Sequence, residues 1–182
     1  MAQIGDIKFQ AGAYGGLSET LSQIEAGELA PTVNGRQVFL GDDTGSFHKY
    51  RYSVSGDVVR FPAGLTRLWV GDLVAPVVPD DIVLIELVAA GETSIRLERV
   101  PDSGSLIIYA AADAAMTPIV TGWTRVGRDI TLAAPATEDL VVEYVPVFQK
   151  MRVETAPSLS ASRTRTTRSW SLTLIETTED DT

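Results

Sequence analysis

The chain has 182 residues, 45% of them apolar, and carries 15 Lys and Arg against 24 Asp and Glu, for a net charge of −9. That apolar share suffices for a packed core and is too large for a disordered chain. The acidic balance argues against nucleic-acid binding, which needs basic side chains in excess, and the lack of cysteine excludes disulfide scaffolds, thiolate zinc sites and thiol catalysis.

The opening MAQIGDIKFQ lacks the charged and apolar regions of a signal peptide, and no apolar run reaches the length of a membrane span. Synthesis and assembly in the cytoplasm, without membrane insertion, are expected. In chain order, DIKFQ at 6–10 reads as a first strand. LSETLSQIEAG at 17–27 reads as the one short helix. Ser18 is placed to cap its start and Gly27 its end, and Leu17, Leu21 and Ile24 fall at helical spacing. Strands follow at RQVFLG (36–41), DVVRF (57–61), RLWVG (67–71), DIVLIELV (81–88) and SIRLERV (94–100). Further strands are SLIIYA (105–110), RDITLA (128–133), DLVVEYV (139–145) and SWSLTLIE (169–176). Nearly all are bounded by Gly, Pro, Asp, Asn or Ser. The longest apolar run, 82–90, suits a buried strand, and YAAADAAMTP (109–118) reads as an excursion between strands. In the last strand Trp170, Leu172 and Leu174 alternate with Ser171 and Thr173, so one side is buried.

These elements predict a mainly β protein: small sandwich- or barrel-like modules in series, one short N-terminal helix and an extended C-terminal arm. Three segments separate. Residues 1–55 hold the helix, 56–148 form one sandwich or two small modules, and 149–182 form the third. Within the last, the Ser-, Thr- and Arg-rich 154–168 reads as an exposed arm, with Arg163 and Arg165 on one face and Arg168 at its end. A final strand and a frayed acidic tail close the chain.

Reactive constellations are scarce. His48 is the sole histidine, which leaves no His-rich metal site and reads as an ordinary loop histidine. The acidic pairs Asp42–Asp43, Asp80–Asp81, Glu138–Asp139 and Asp180–Asp181 lie in turns or the tail, where Asp satisfies backbone donors. GDDTGS at 41–46 lacks the spacing of a calcium loop, and GAYGG at 12–16 is no phosphate or dinucleotide fingerprint. No catalytic residue, metal or cofactor is expected. Trp69, Trp123 and Trp170 lie in or near strands and read as core rather than as a sugar-binding platform.

Residues 7–50, IKFQAGAYGGLSETLSQIEAGELAPTVNGRQVFLGDDTGSFHKY, resemble the N-terminal module of bacteriophage tail-fibre and related virion proteins. The matching residues are Ile7, Phe9, Leu21, Ala26, Gly27, Glu28, Leu29, Val38, Phe39, Gly41, Asp42 and Gly45. Gln10, Ala11 and Gly12 replace the usual Arg-Arg-Gly, and Asn34 the usual hairpin Asp. Residues 64–97 and 97–147 are similar to mosaic β elements of phage structural proteins, the second through Pro101, Gly104, Ile108, Tyr109, Gly127, Ile130, Leu132, Pro135, Asp139, Val142 and Tyr144.

The resemblance implies a non-enzymatic virion protein of the tail: fibre, fibre adaptor or baseplate-associated part. Its partners would be other virion proteins and copies of itself, trimeric in a fibre or sixfold in a ring, and the host cell surface. A capsid decoration or head-fibre protein is the alternative, and a host-surface glycan-binding module the lesser one. The interface candidates are Phe39, Phe47 and Tyr50 near the first module, Arg163, Arg165 and Arg168 on the arm, and Trp170, Leu172 and Leu174 on the last strand. That strand either adds to a neighbour's sheet or closes the chain's own.

Overall fold

A computed structural model describes residues 2–9, 13, 16–24, 27–31, 37–41, 49–161 and 168–177, with backbone alone for 27–31 and 37–41. Among them the chain is mainly β, built of several small antiparallel sheets with no closed barrel. The strands are β1 (Gln3–Ile4), β2 (Leu17–Ile24), β3 (Gly27–Pro31), β4 (Gln37–Gly41), β5 (Lys49–Val58), β6 (Leu73–Val74), β7 (Val77–Val78), β8 (Leu84–Val88) and β9 (Ser94–Arg96). They continue as β10 (Val100–Pro101), β11 (Ile107–Ala110), β12 (Trp123–Val126), β13 (Asp129–Leu132), β14 (Leu140–Tyr144), β15 (Pro146–Val147), β16 (Met151–Ala161) and β17 (Arg168–Glu176). The one helical element among the described residues is a 3₁₀ turn at Leu65–Arg67.

The chain forms two compact units, Met1–Ile4 with Pro76–Gln149, and Gly5–Ala75 with Lys150–Thr182. This replaces the three consecutive segments expected. Strands from the beginning and the end of the chain share one sheet, so the second unit is discontinuous in sequence.

In the first unit, two three-stranded sheets, ordered β11-β14-β8 and β12-β13-β9, share one apolar core. Val88, Ile108, Leu140, Val142 and Tyr144 enter it from the first sheet and Ile130 from the second, joined by Leu97 and Ala136. Leu140, Val142 and Tyr144 point inward because they alternate along β14.

The second unit is organised by a five-stranded sheet in the order β2-β5-β17-β16-β6. Tyr50, Tyr52, Val54 and Val58 of β5, Trp170, Leu172 and Leu174 of β17, and Met151 and Val153 of β16 are buried on one face. Gly56 stands directly opposite Trp170. The indole takes the space a side chain would fill, since a Cβ on Gly56 would lie 2.9 Å from Trp170 Nε1.

Three expectations are corrected. Residues 17–24 form a strand, not a helix: they pair with β5 from Leu17↔Gly56 to Ile24↔Lys49. Leu17 and Leu21 are four apart, a spacing that suits a helix and also one face of a strand. Ile24, which completed the helical stripe, faces the other way. Next, 151–161 is no free arm. It is β16, hydrogen-bonded to β17 from Met151↔Glu176 to Ala161↔Arg168 with register shifts between Val153 and Ser158. Last, 67–71 is not a strand but runs from the 3₁₀ turn into a tight turn, because Gly71 adopts φ +91° and Asp72 N–H bonds Trp69 O at 3.0 Å.

Candidate functional site

The residues expected at an interface separate sharply. Tyr50, Trp170, Leu172 and Leu174 lie inside the second unit. β17 is paired on both sides, with β5 and β16, so it has no free edge to lend to a neighbour's sheet. The strand closes the chain's own sheet. Arg168 is exposed, its guanidinium 5.6 Å from the centre of the Phe61 ring, a cation–π arrangement. Phe39 belongs to β4, where its backbone stands opposite Leu29. Phe47, Arg163, Arg165, His48 and the Asp42–Asp43 pair lie outside the described residues.

Among the described residues of the first unit, a partly buried polar network centres on Tyr144. Tyr144 OH donates to Glu86 Oε1 at 2.6 Å and accepts from Arg99 N–H at 3.1 Å. Glu98 N–H donates to the same Glu86 oxygen at 2.7 Å. Arg99, itself buried, donates from Nη1 to Glu98 O at 2.7 Å, and Arg128 Nη1 reaches that carbonyl at 3.0 Å. Burial first, then the bond to Glu86, holds the Tyr144 hydroxyl well above the ordinary tyrosine range. These bonds tie the segment at 98–99 to β8 and β14. Among the described residues no group of three or more His, Cys, Asp or Glu could hold a metal ion.

Two outward faces stand apart. The first belongs to the sheet β11-β14-β8. Ile85, Glu143 and Ile107 form one row across it, and Leu87, Val141 and Tyr109 the next, with Tyr109 itself buried. Leu87 is 67% exposed and Ile85 59%. Glu143 accepts from Tyr109 OH at 2.7 Å, and that bond, with burial adding, raises the tyrosine pKa. The one carboxylate of these two rows is therefore engaged by its own neighbour. β8 is an edge strand of this sheet, and the run expected to be buried exposes Val83, Ile85 and Leu87.

The second face is the outer side of the five-stranded sheet. Ser18, Ser55, Ser171 and Ser158 form one row across β2, β5, β17 and β16. Thr20, Ser53, Thr173 and Thr155 form the next. Ser158 and Ser171 hydroxyls lie 2.6 Å apart, and Ser53 donates to Thr173 at 3.5 Å. Beyond these rows Arg51 makes two bonds of 2.6 Å to Glu154, which lower the Glu154 pKa and raise that of Arg51.

At the β6 edge the turn before that strand presents Trp69, 72% exposed, where the sequence reading placed it in the core. Trp69 N–H bonds Asp72 Oδ2 at 2.7 Å, Gly71 N–H bonds Val153 O at 2.8 Å, and Arg152 Nη1 bonds Gly71 O at 3.1 Å. Trp170 is buried, and Trp123 packs partly buried against the first unit's core with Nε1 donating to Ile119 O at 2.8 Å. The signal for Trp69 was its "WVGD" setting, a turn signature, which outweighs the strand propensity of Trp and Val.

Neither the models of known protein families nor the curated proteins match this chain.

Proposed function

We propose that the chain is a non-enzymatic structural component of a bacteriophage virion, belonging to the tail as a fibre, fibre adaptor or baseplate-associated part. It works through contacts with neighbouring protein chains. The observation that carries the assembly role is the outward face of Ile85, Leu87, Ile107 and Val141 on the sheet β11-β14-β8. A solvated sheet face ordinarily alternates to polar residues, and contiguous exposed apolar area marks contact surfaces. The phage setting rests on the resemblance of residues 7–147 to virion modules.

Two measurements test this reading. Mass spectrometry and antibody labelling of purified particles should find the chain at fixed copy number on the tail. Label on the head would move it to a decoration role, and its absence from particles would overturn the proposal. Light scattering coupled to size exclusion should show an oligomer that Leu87→Lys reduces to monomer. Equal masses for both proteins would remove this face as the contact between copies.

A further inference from the structure

We infer that the outer face of the five-stranded sheet is a binding surface for an extended, neutral, β-linked polysaccharide laid across the strands, with Trp69 as an aromatic platform at its β6 edge. The eight hydroxyls of the two central rows are the first reason. They stand directly opposite one another on four consecutive strands, with no charged side chain among them. Neighbouring strands are about 4.8 Å apart, close to the advance of one sugar in an extended β-linked chain. Each strand thus offers hydroxyls to successive sugars in step.

Each Ser or Thr hydroxyl carries one donor and two acceptor sites. The bonds Ser158–Ser171 and Ser53–Thr173 use only part of that capacity. Short hydroxyl side chains also lose little rotamer freedom when a ligand orders them, whereas the Lys, Glu and Arg usual on such a face lose much more. The bordering charges are engaged within the protein, Arg51 with Glu154 and Arg152 with Gly71 O, so they leave the rows neutral, while Asp57 lies across from Ser169 on the other side.

Trp69 adds an apolar surface for a sugar's C–H face. Its turn is pre-set, bonded to Asp72 and, through Gly71, to Val153 and Arg152, so binding orders little new backbone. The same face suits other partners poorly. Serine is depleted in protein interfaces, and a net charge of −9 disfavours polyanions.

The test uses the full chain, insoluble chitin and cellulose in depletion assays, and chitohexaose and cellohexaose in calorimetric titration. Wild type is expected to bind at least one polymer and its oligomer. Ser55→Lys/Ser171→Lys should bind about tenfold or more weakly, the loss of two or so hydrogen bonds, and Trp69→Ala should also weaken binding. Ser171→Thr should retain it. If the lysine pair fails to fold, judged by circular dichroism, Ser18→Lys on the edge strand takes its place. Uptake of neither polymer by wild type overturns the inference, as does undiminished binding by the lysine variant. Leu87→Lys, on the other unit, should bind sugar as wild type does, so failure of the assembly reading and failure of this one are separately visible.

Discussion

Gly56→Ala sets two effects of opposite sign against each other. A glycine inside a strand is worse than alanine by about 0.5–1 kcal/mol, through backbone entropy. The new Cβ, however, would stand 2.9 Å from Trp170 Nε1, 3.3 Å from Cε2 and 3.5 Å from Val58 Cγ1. The indole is 2% exposed and has the Phe9 ring at 5.9 Å, so it has little room to retreat. Overpacking of this kind costs about 1–3 kcal/mol, and the net expectation is a loss of about 0.5–2 kcal/mol. For a unit of this size that lowers the thermal midpoint by several degrees. Far-UV circular dichroism during heating and urea titration measures it. Trp170→Phe removes the atoms in the clash, and no hydrogen bond goes with them, because Nε1 has no partner among the described residues. Introduced together with Trp170→Phe, the alanine should therefore become neutral or stabilising. A Gly56→Ala midpoint at or above wild type, with Trp170 in place, would refute the account of this contact.

Tyr144→Phe should cost about 1–3 kcal/mol, because it strands the buried Arg99 N–H and strips a donor from Glu86; urea unfolding measures it. Since folding raises the Tyr144 pKa, its contribution is complete below the unfolded value of about 10 and is lost as pH rises beyond it. Alkaline destabilisation should accordingly be shallower in Tyr144→Phe. Glu154 titrates in the opposite sense: Arg51 lowers its pKa, so its contribution is present above about pH 4.3 and disappears as pH falls through the lowered value. Thermal midpoints of wild type and Glu154→Gln should differ at neutral pH and converge in acid. Gly5→Ala meets both a φ of +50° and a Cβ placed 2.9 Å from Val74 Cγ1, and should lose more than about 1 kcal/mol in the same urea assay.

Much of the fold was legible because β strands advertise themselves by alternation. Trp170, Leu172 and Leu174 could be placed on one face from their spacing alone and are buried, and Leu140, Val142 and Tyr144 of the expected strand at 139–145 are buried by the same alternation. Spacing is silent on pairing. Nothing local says that β17 lies between β5 and β16, and this decides whether Trp170 is core or contact. The same gap explains 154–161. Its Ser, Thr and Pro read as an arm, yet they supply one strand of a hairpin whose bulge falls beside Pro157. Residues 17–24 failed for a different reason, since a four-residue interval between leucines cannot separate two periodicities. The hydroxyl face was hidden because its rows assemble from positions 18, 20, 53, 55, 155, 158, 171 and 173, which become neighbours only in the folded sheet.

The two exposed faces call for different partners, and the side chains decide which. Ile85 and Leu87 gain free energy by leaving water, roughly in proportion to the area covered, so they favour a dry, shape-matched protein surface. Ser55 and Ser171 gain almost nothing from dehydration and must exchange each water for an equivalent hydrogen bond. A ligand that is itself a regular array of hydroxyls can make that exchange across several strands at once. Assembly through one unit and adhesion through the other would then be separable functions of one chain. Because the two faces share no residues, Leu87→Lys and Ser55→Lys/Ser171→Lys should combine additively. Coupling between the two losses would place both effects on a single surface and contradict this division.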